Sequence, residues 1–334
     1  MRYRTGVISR LFAHIPSLEV AIKLAYWRIP LVQRLGNFVR HKRRLRNKSA
    51  IQTENEPPID FADILAAIRG FGVGEGDILV VHSSFKELKR TGLTPAQVID
   101  GLRELVGSTG TLAMPAIPIV AGEPQGVAKL SDDAYDRLFF YDAKSVRIST
   151  GALPQALMRT EGAARSRHPG NSMVAVGAQA KEMMSGNVDA PLPSPCGAGS
   201  SWAYCWRNNA KIVVIGTDLV HSLTMIHVAE ELFEDEWPIR DWFRTRRFRV
   251  RDGEFERELV IRERRHEWSQ FYAERAFSRD LYARGVALSA NVGGIALHFC
   301  ESSSLIEFLR NHPRPAYPYV FPLGFRKRYK KTQP

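Results

Sequence analysis

The stretch "GDILVVHSSF", residues 76–85, predicts a buried strand that ends in a polar group. A turn of glycine and aspartate precedes four consecutive apolar residues, Ile78 to Val81, with no polar residue between them. A strand of this kind is buried on both faces, as in α/β proteins whose helices cover a parallel sheet. Its carboxyl end, where open α/β sheets bind ligands, carries His82, Ser83 and Ser84. The same triplet can also be an ordinary strand ending.

The next segment completes a βαβ unit. "TPAQVIDGLRELVG" (94–107) reads as a helix with Thr94 as N-cap, proline at the first helical position and Gln97 closing a capping box. "GTLAMPAI" (110–117) and "KIVVIG" (211–216) read as further buried strands. The order of these elements predicts an α/β fold with a central, largely parallel or mixed sheet flanked by helices.

A β-hairpin insertion is predicted late in the chain. "RRFRVRDGEFERELVIRE" (246–263) alternates between apolar and charged residues on either side of Asp252 and Gly253. Asp-Gly between two alternating runs is a strong hairpin signal. The hairpin therefore adds two antiparallel strands to the fold.

The net charge of +12 is concentrated at the N-terminus. Residues 1–50 carry 12 Lys and Arg but one acid, Glu19, whereas the rest of the chain has 35 basic and 34 acidic residues. A whole-protein role in binding nucleic acid is therefore not expected. Three scattered cysteines, at 196, 205 and 300, form no disulfide framework and favour a reducing, cytoplasmic compartment.

Composition divides the chain into four parts: a basic amphipathic helical extension (1–50), a linker (51–58), a main domain (59–315) and a basic tail (316–334). Pro16 and Pro30 punctuate two helical stretches of the extension. The second stretch has an apolar face, Leu31, Val32, Leu35, Phe38 and Val39, opposite Gln33, Arg34, Asn37 and Arg40.

The extension has two interpretations. No run approaches the ~20 apolar residues needed to span a bilayer. Its basic face suits peripheral contact with an anionic membrane, at the inner face in a cytoplasmic protein. Alternatively, the helices dock on the main domain or on a second subunit, an arrangement that a homodimer allows.

"LTMIHVAEELFEDEW" (223–237) is the most informative chemical motif. On a helix, His227 shares a face with Glu230 or Glu231. A carboxylate one turn away can orient an imidazole and raise its pKa, which suits a general base. The acids at 230, 231, 234, 235 and 236 together could attract a cationic ligand. A solvated acidic helix with a half-buried histidine is the alternative, and no second His–Glu pair supports a metal site.

His168 is the other histidine that the sequence singles out. Ser149 or Thr150 is expected to cap a helix that runs to about Arg159, and a loop then leads to His168 and Pro169. Because proline favours an extended conformation in the preceding residue, the imidazole should project in a fixed direction. A histidine hydrogen-bonded within its loop is the alternative.

Four of these stretches, in the same order, resemble motifs of the aminoglycoside 3-N-acetyltransferases, the antibiotic N-acetyltransferase type that is distinct from the GNAT fold. They are "GDILVVHSS" (76–84), "LVGSTGTLAMP" (105–115), "GAARSRHPGNSMVAVGAQA" (162–180) and "LTMIHVAE" (223–230). The resemblance covers residues 60 to 310, without the extension. Departures at Val146-Arg147-Ile148, at Ser201 in "GAGSS", and in a longer loop between Gly216 and Thr224 concern the acceptor.

The resemblance implies acetyl-CoA as co-substrate, no metal, and a small-molecule amine as acceptor. The chemistry of such a transfer predicts His227 as general base, Glu230 to orient it or to hold the acceptor ammonium, and His168, Thr224 or nearby backbone N–H groups as donors to the thioester oxygen. The implied coenzyme-binding residues are His82, Ser83, Ser84, Thr150, Gly151 and Ser172.

Two acceptors are considered: an amino sugar of a glycan pathway, which the basic extension favours, and an aminoglycoside antibiotic. Two alternatives are not enzymes: a non-catalytic binding protein that keeps the fold, and a membrane-associated scaffold that keeps the fold. Retention of both histidine motifs argues against a pure binding role.

Overall fold

A computed structural model describes residues 7–29, 57–219 and 222–322, together with 31–34, 36 and 38. Its strands are β1 (Ile78–Ser83), β2 (Thr111–Pro115), β3 (Leu138–Asp142), β4 (Ala164–Arg165), β5 (Met173–Gly177), β6 (Lys211–Ile215), β7 (Phe243–Asp252), β8 (Phe255–Arg264), β9 (Ala287–Val292) and β10 (Ile295–Glu301).

The helices surround these strands. They are α1 (Val7–His14), α2 (Pro16–Arg28), α3 (Phe61–Gly70), α4 (Phe85–Leu88), α5 (Pro95–Val106), α6 (Ala152–Leu157), α7 (Ala180–Ser185), α8 (Ser201–Arg207), α9 (His227–Glu231), α10 (Glu274–Ala283) and α11 (Ser302–Arg310). Short 3₁₀ turns include Thr224–Ile226, directly before α9, and His266–Phe271.

The main sheet is mixed. Its strand order is β4-β5-β2-β1-β6-β10-β9, and the central trio β2-β1-β6 is parallel. The outer pairs β2–β5, β5–β4, β6–β10 and β10–β9 are antiparallel. This arrangement confirms the predicted α/β class with a largely parallel or mixed sheet.

Strand β1 lies at the centre because both of its faces are apolar. Val80 packs on one side in a cluster with Trp202 and Ile212, whereas Leu79 packs on the other side with Leu102 of α5. The predicted capping box of α5 is present, with the Thr94 hydroxyl accepting from the backbone N–H of Gln97. Helices thus cover both faces of the sheet.

The predicted hairpin forms a second sheet of order β3-β7-β8. Alternate residues of β7 point inward, and these include two arginines, Arg244 and Arg246. Their guanidinium groups are neutralised by Glu263 at 2.7 and 3.0 Å, and Arg246 also pairs with Glu123 at 2.8 Å. Buried cations are tolerated here because each has a carboxylate partner.

The prediction for the helix after residue 148 was wrong in its cap. Helix α6 begins at Ala152 and its N-cap is Gly151, whose φ of 101° favours glycine; no side chain caps it. Ser149 instead lies in an extended segment, and its N–H donates to the carbonyl of Ile117 at 2.9 Å. The helix also ends at Leu157, earlier than expected.

Helices α1 and α2 of the extension pack on the main domain, whereas Leu31 and Phe38 are 75% and 55% exposed. Val20 of α2 is 3% exposed and joins an aromatic cluster that includes Trp237, Trp242, Trp268 and Tyr319. Glu19 is equally buried and pairs with Arg275 of α10 at 2.6 Å. Of the two interpretations of the extension, docking on the main domain therefore describes α1 and α2.

The sequence predictions for the extension and linker also concern residues outside the described part of the chain. Leu35, Val39 and the basic run 41–48 lie outside the described residues, as do residues 51–56 of the linker. In the described part of the chain, no helix combines the length and the apolar character that crossing a membrane requires.

The packed body continues beyond residue 315, where the sequence analysis placed the start of a tail. Tyr317 and Tyr319 are 4% and 1% exposed, and the N–H of Val320 donates to the carbonyl of Phe271. The strongly basic residues that follow this segment give it the composition of a tail. Residues 323–334 lie outside the described residues.

Val20→Asp should detach α2 from the aromatic cluster, because a carboxylate would be buried without a partner. We expect the free energy of unfolding to fall by about 2–4 kcal/mol. Chemical denaturation of the full chain measures this. Ile22→Asp, at a position that is 46% exposed on the same helix, is the matched control and should change stability by less than about 0.5 kcal/mol.

Candidate active site

The parallel strands end side by side at one edge of the sheet. Ser83 at the end of β1 pairs with Ile215 at the end of β6, and the N–H of Ser84 donates to the Ile215 carbonyl at 2.9 Å. The chain then turns at Gly216, where a Cβ would lie 2.7 Å from the Cβ of Glu87. This close approach requires glycine, and the turn leads from the sheet edge toward Thr224.

His227 and Glu230 form a hydrogen-bonded pair at the start of α9. The Nδ1 atom of His227 lies 3.0 Å from Oε2 of Glu230, because residues three apart share a helix face. The Glu230 side chain is 2% exposed and the His227 side chain 15%. The imidazole therefore meets solvent on one side and a buried carboxylate on the other.

Two residues from distant segments complete this arrangement. The Tyr319 hydroxyl donates to Oε1 of Glu230 at 2.6 Å, and Arg264 Nη1 donates to the same hydroxyl at 2.6 Å. Arg264, Tyr319, Glu230 and His227 thus form one continuous chain of contacts. The end of β8 and the C-terminal segment both converge on the α9 carboxylate.

The electrostatics of this chain keep Glu230 ionised. Burial alone would raise the pKa of Glu230, but His227, Arg264 and the Tyr319 hydroxyl together lower it below its ordinary value. Burial raises the pKa of Tyr319 well above its ordinary value, so the phenol keeps its proton and donates it to the carboxylate. Glu230 is therefore a permanent acceptor for a proton on Nδ1.

A cavity of about 250 Å³ lies on the open side of His227. Its lining includes Thr224, His227, Arg264, Tyr272, Glu274 and Tyr319. With Nδ1 directed to Glu230, the neutral imidazole would carry its lone pair on Nε2. The cavity can therefore hold a polar molecule beside a base and the carboxylate of Glu274.

His168 does not line this cavity. It is 2% exposed; its Nδ1 accepts from the N–H of Gly170 at 3.0 Å, and its Nε2 lies 3.4 Å from the Pro193 carbonyl. Burial lowers the pKa of His168 to about 4, so the ring is neutral. This geometry matches the alternative of a histidine hydrogen-bonded within its loop, and gives no support to a role at the reacting centre.

Most residues that the resemblance assigned to the coenzyme gather at the carboxyl edge of β1 and β2. Ser83 ends β1 and Ser84 follows it, and Thr150 follows Ser149, which is bonded to Ile117 two residues after β2. His82 Nε2 and Thr150 Oγ1 are buried, and neither has a hydrogen-bond partner among the described residues. Burial lowers the pKa of His82 to about 4. Unpartnered polar atoms at this edge fit a polar ligand.

Ser172 differs from the other predicted coenzyme residues. It is 1% exposed, and its hydroxyl lies 3.1 Å from the Tyr141 hydroxyl, which itself donates to the carbonyl of Ser166. The Ser172 carbonyl accepts from the N–H of Ala116 just beyond β2, so Ser172 lies at the sheet edge with its hydroxyl bonded within the protein.

The acidic cluster of 230–236 does not form one surface. Glu234 pairs with Arg262 at 2.6 Å, Glu236 pairs with Arg310 at 2.6 Å, and Glu231 is buried with Oε2 accepting from the N–H of Cys196 at 2.7 Å. The expectation of a cation-attracting cluster is wrong, because partners from β8 and α11 neutralise two members and burial hides others. The described residues also include no group of three or more His, Cys, Asp or Glu suited to hold a metal ion.

Several residues of the site were missed by the sequence reasoning. Arg264, Tyr272, Glu274 and Tyr319 lie in the hairpin end and in segments without a recognised motif. A usable signal was the apolar and aromatic run around Tyr319, which is unusual for a solvent-exposed tail.

Residues 80–312 match the family model described as aminoglycoside 3-N-acetyltransferase. The chain belongs to this family. The sequence-based resemblance is thereby confirmed, as is the acyltransferase class. The extension at residues 1–50 lies outside the matched region.

Two aminoglycoside N(3)-acetyltransferases are similar to this chain over different lengths. Aminoglycoside N(3)-acetyltransferase VII of Streptomyces paromomycinus is 27% identical over 281 residues, which is 78% of this chain and 93% of the relative. Aminoglycoside N(3)-acetyltransferase III of Acinetobacter baumannii is 34% identical over 173 residues, covering 50% of this chain and 58% of that protein.

Solved structures share the fold of the chain. AAC-IIIb, in a binary complex with CoASH, superposes with a TM-score of 0.63 and 21% identity, over 82% of this chain and 99% of that one. AAC-VIa bound to sisomicin gives a TM-score of 0.60 and 20% identity, over 76% and 96% of the two chains.

Glu231→Gln should change how stability depends on pH. Burial raises the pKa of Glu231 to about 8 from 4.5, so between these values the folded protein binds more protons than the unfolded chain, and stability falls as pH rises. The Glu231→Gln variant lacks this loss. Its free energy of unfolding should therefore rise relative to that of wild type by up to about 1.4 kcal/mol per pH unit between pH 5 and pH 8. Denaturation at several pH values measures this.

The exposed Glu161→Gln serves as the control for that experiment and should follow the wild-type pH curve. Parallel curves for Glu231→Gln and wild type would contradict a neutral, buried Glu231.

Proposed function

We propose that this protein is an acetyl-CoA-dependent N-acetyltransferase that acts on an amino group of an amino sugar or aminoglycoside, with His227 as general base. The observation that carries the proposal is the pair His227–Glu230, held by Tyr319 and open to a cavity. Family membership supplies the reaction class, and the relatives named above act on aminoglycosides.

The reaction requires a neutral amine. An ammonium in the cavity loses a proton to Nε2 of His227, and the free nitrogen lone pair attacks the thioester carbonyl. The C–N bond forms, the C–S bond breaks, and the leaving coenzyme thiolate takes up the second proton that the nitrogen gives up as it becomes an amide. Glu230 stabilises the imidazolium through Nδ1, and a positioned base of this kind contributes roughly 10²–10⁴-fold to rate.

The Thr224 hydroxyl suits the thioester oxygen. Thr224 lines the same cavity as His227, one turn earlier along the chain. Charge develops on the carbonyl oxygen in the transition state, and a hydroxyl or backbone N–H aimed at it lowers the barrier. We assign this role to Thr224 instead of His168, whose two ring nitrogens face backbone atoms of its own neighbourhood.

The coenzyme would approach along the carboxyl edge of β1 and β2. Ser83, Ser84, Thr150 and the backbone at Gly151 supply hydroxyl and N–H groups there. The unpartnered Thr150 hydroxyl and His82 Nε2 at this edge fit a ligand rich in amide and phosphate groups. The solved structure of AAC-IIIb, which shares the fold, is a binary complex with CoASH.

Thiol release from acetyl-CoA tests the proposal directly. We expect release with an amino sugar such as glucosamine, with sisomicin, or with both, and a product heavier by one acetyl group in the mass spectrum. Absence of thiol release and of acetylated product across such a panel would contradict the proposal.

His227→Ala should lower kcat at least tenfold, because the acceptor ammonium would lose its base. The dissociation constant for CoA, measured by calorimetry, should stay within about twofold of wild type, since the imidazole serves the acceptor. His14→Ala, an exposed histidine of α1, is the control. Unchanged kcat in His227→Ala would refute the assignment of the base.

Tyr319→Phe should lower kcat by about three- to tenfold through loss of the hydrogen bond to Glu230, a charge-assisted bond of about 1.5–3 kcal/mol in stability terms. Tyr319 acts here as a positioning residue, so its effect should vanish in a His227→Ala background. An equal loss in both backgrounds, measured by steady-state kinetics, would assign Tyr319 a purely structural role.

A further inference from the structure

We propose that Lys23, in helix α2 of the extension, sets the charge selectivity of the acceptor cavity by neutralising Glu274. The inference rests on the proposed function for the identity of the cavity as an acceptor site. It concerns a residue outside the region that matches the family model, which begins at residue 80.

Lys23 is bound to the wall of the cavity. Its Nζ lies 2.8 Å from Oε1 of Glu274 and donates to the carbonyl of Tyr272 at 2.7 Å. Both partners line the cavity that holds His227. The ammonium therefore lies directly behind a carboxylate that an acceptor would meet.

Helix α2 holds Lys23 in this position by packing on either side of it. One turn earlier, Glu19 is buried against Arg275 at 2.6 Å, and it also lies 3.5 Å from Lys23. Val20 and Leu24 pack into the aromatic cluster, and the Trp27 ring meets His266 at 5.5 Å. The Lys23 side chain is only 22% exposed, so its charge is fixed beside Glu274.

The effect of this charge depends on the acceptor. A carboxylate already paired with an ammonium attracts a second cation less strongly than a bare carboxylate does. Acceptors with several ammonium groups lose most from this neutralisation, whereas an amino sugar with a single amine loses little. Lys23 thus favours acceptors with few positive charges over polycationic aminoglycosides.

The test compares kcat/KM for sisomicin with kcat/KM for glucosamine. We expect Lys23→Met, which keeps an apolar stem, to raise the sisomicin-to-glucosamine ratio about tenfold, mainly through a lower KM for sisomicin. The increase should shrink as salt is added, because the added charge is screened. Lys23→Arg should restore a ratio within twofold of wild type.

The exposed Lys181→Met, on α7, is the matched control for the loss of one positive charge and should leave the ratio unchanged. A ratio within twofold of wild type in Lys23→Met, or a lower ratio, would overturn the inference. If Lys23→Met does not fold, Glu274→Gln provides the test. In that variant the KM for sisomicin should rise about tenfold and the KM for glucosamine about twofold. Equal changes in the two KM values would overturn the inference.

Calorimetric binding of sisomicin separates this inference from the proposed function. Should wild-type protein transfer acetyl to neither acceptor, the proposed function fails, yet sisomicin should still bind about tenfold more tightly to Lys23→Met than to wild type. Equal affinity, or no binding to either protein, would count against the role of Lys23.

Discussion

The buried carboxylate of Glu230 is the constraint around which the site is built. With 2% of its side chain exposed, Glu230 would be costly to keep charged without partners, since an uncompensated buried ion costs several kcal/mol. His227 and Tyr319 each supply a contact to one oxygen, and Arg264 supports the tyrosine. These contacts join α9, the end of the hairpin and the C-terminal segment. The environment of Glu230 therefore forms only when all three segments are in place. The same contacts fix the orientation of the imidazole.

The aromatic cluster extends this constraint to the N-terminus. Tyr319 packs edge-on against Trp242 with ring centroids 5.0 Å apart, and Trp242 stacks on Trp268 at 5.2 Å. Val20 of the extension fills the same cluster. Helix α2, which composition separates from the main domain, therefore packs into the same apolar cluster as the tyrosine that holds Glu230.

What the sequence predicted correctly depends on local rules. The buried run of β1, the capping box of α5, the alternation of the hairpin and the spacing of His227 and Glu230 each involve residues a few positions apart. Tyr319 and Lys23 reach the site across long sequence separations, 89 residues from Tyr319 to Glu230 and 249 from Lys23 to Tyr272. No local periodicity encodes such contacts. The acidic run 230–236 was wrongly predicted to be one cation-attracting cluster, because the residues that pair with it lie on other elements of the fold.

The pairing of these carboxylates also bears on the chemistry. A bare carboxylate next to an acceptor amine would stabilise the ammonium, raise its pKa and make removal of the proton harder. Glu274 is instead paired with Lys23, and Glu230 already accepts from His227 and Tyr319. On the proposed reaction, the cavity can thus bind a polar amine without holding its proton too strongly, and the proton that leaves has a nearby acceptor in His227. The pairing of Glu274 with Lys23 and the ionisation of Glu230 therefore both favour transfer of the amine proton to His227 in the proposed reaction.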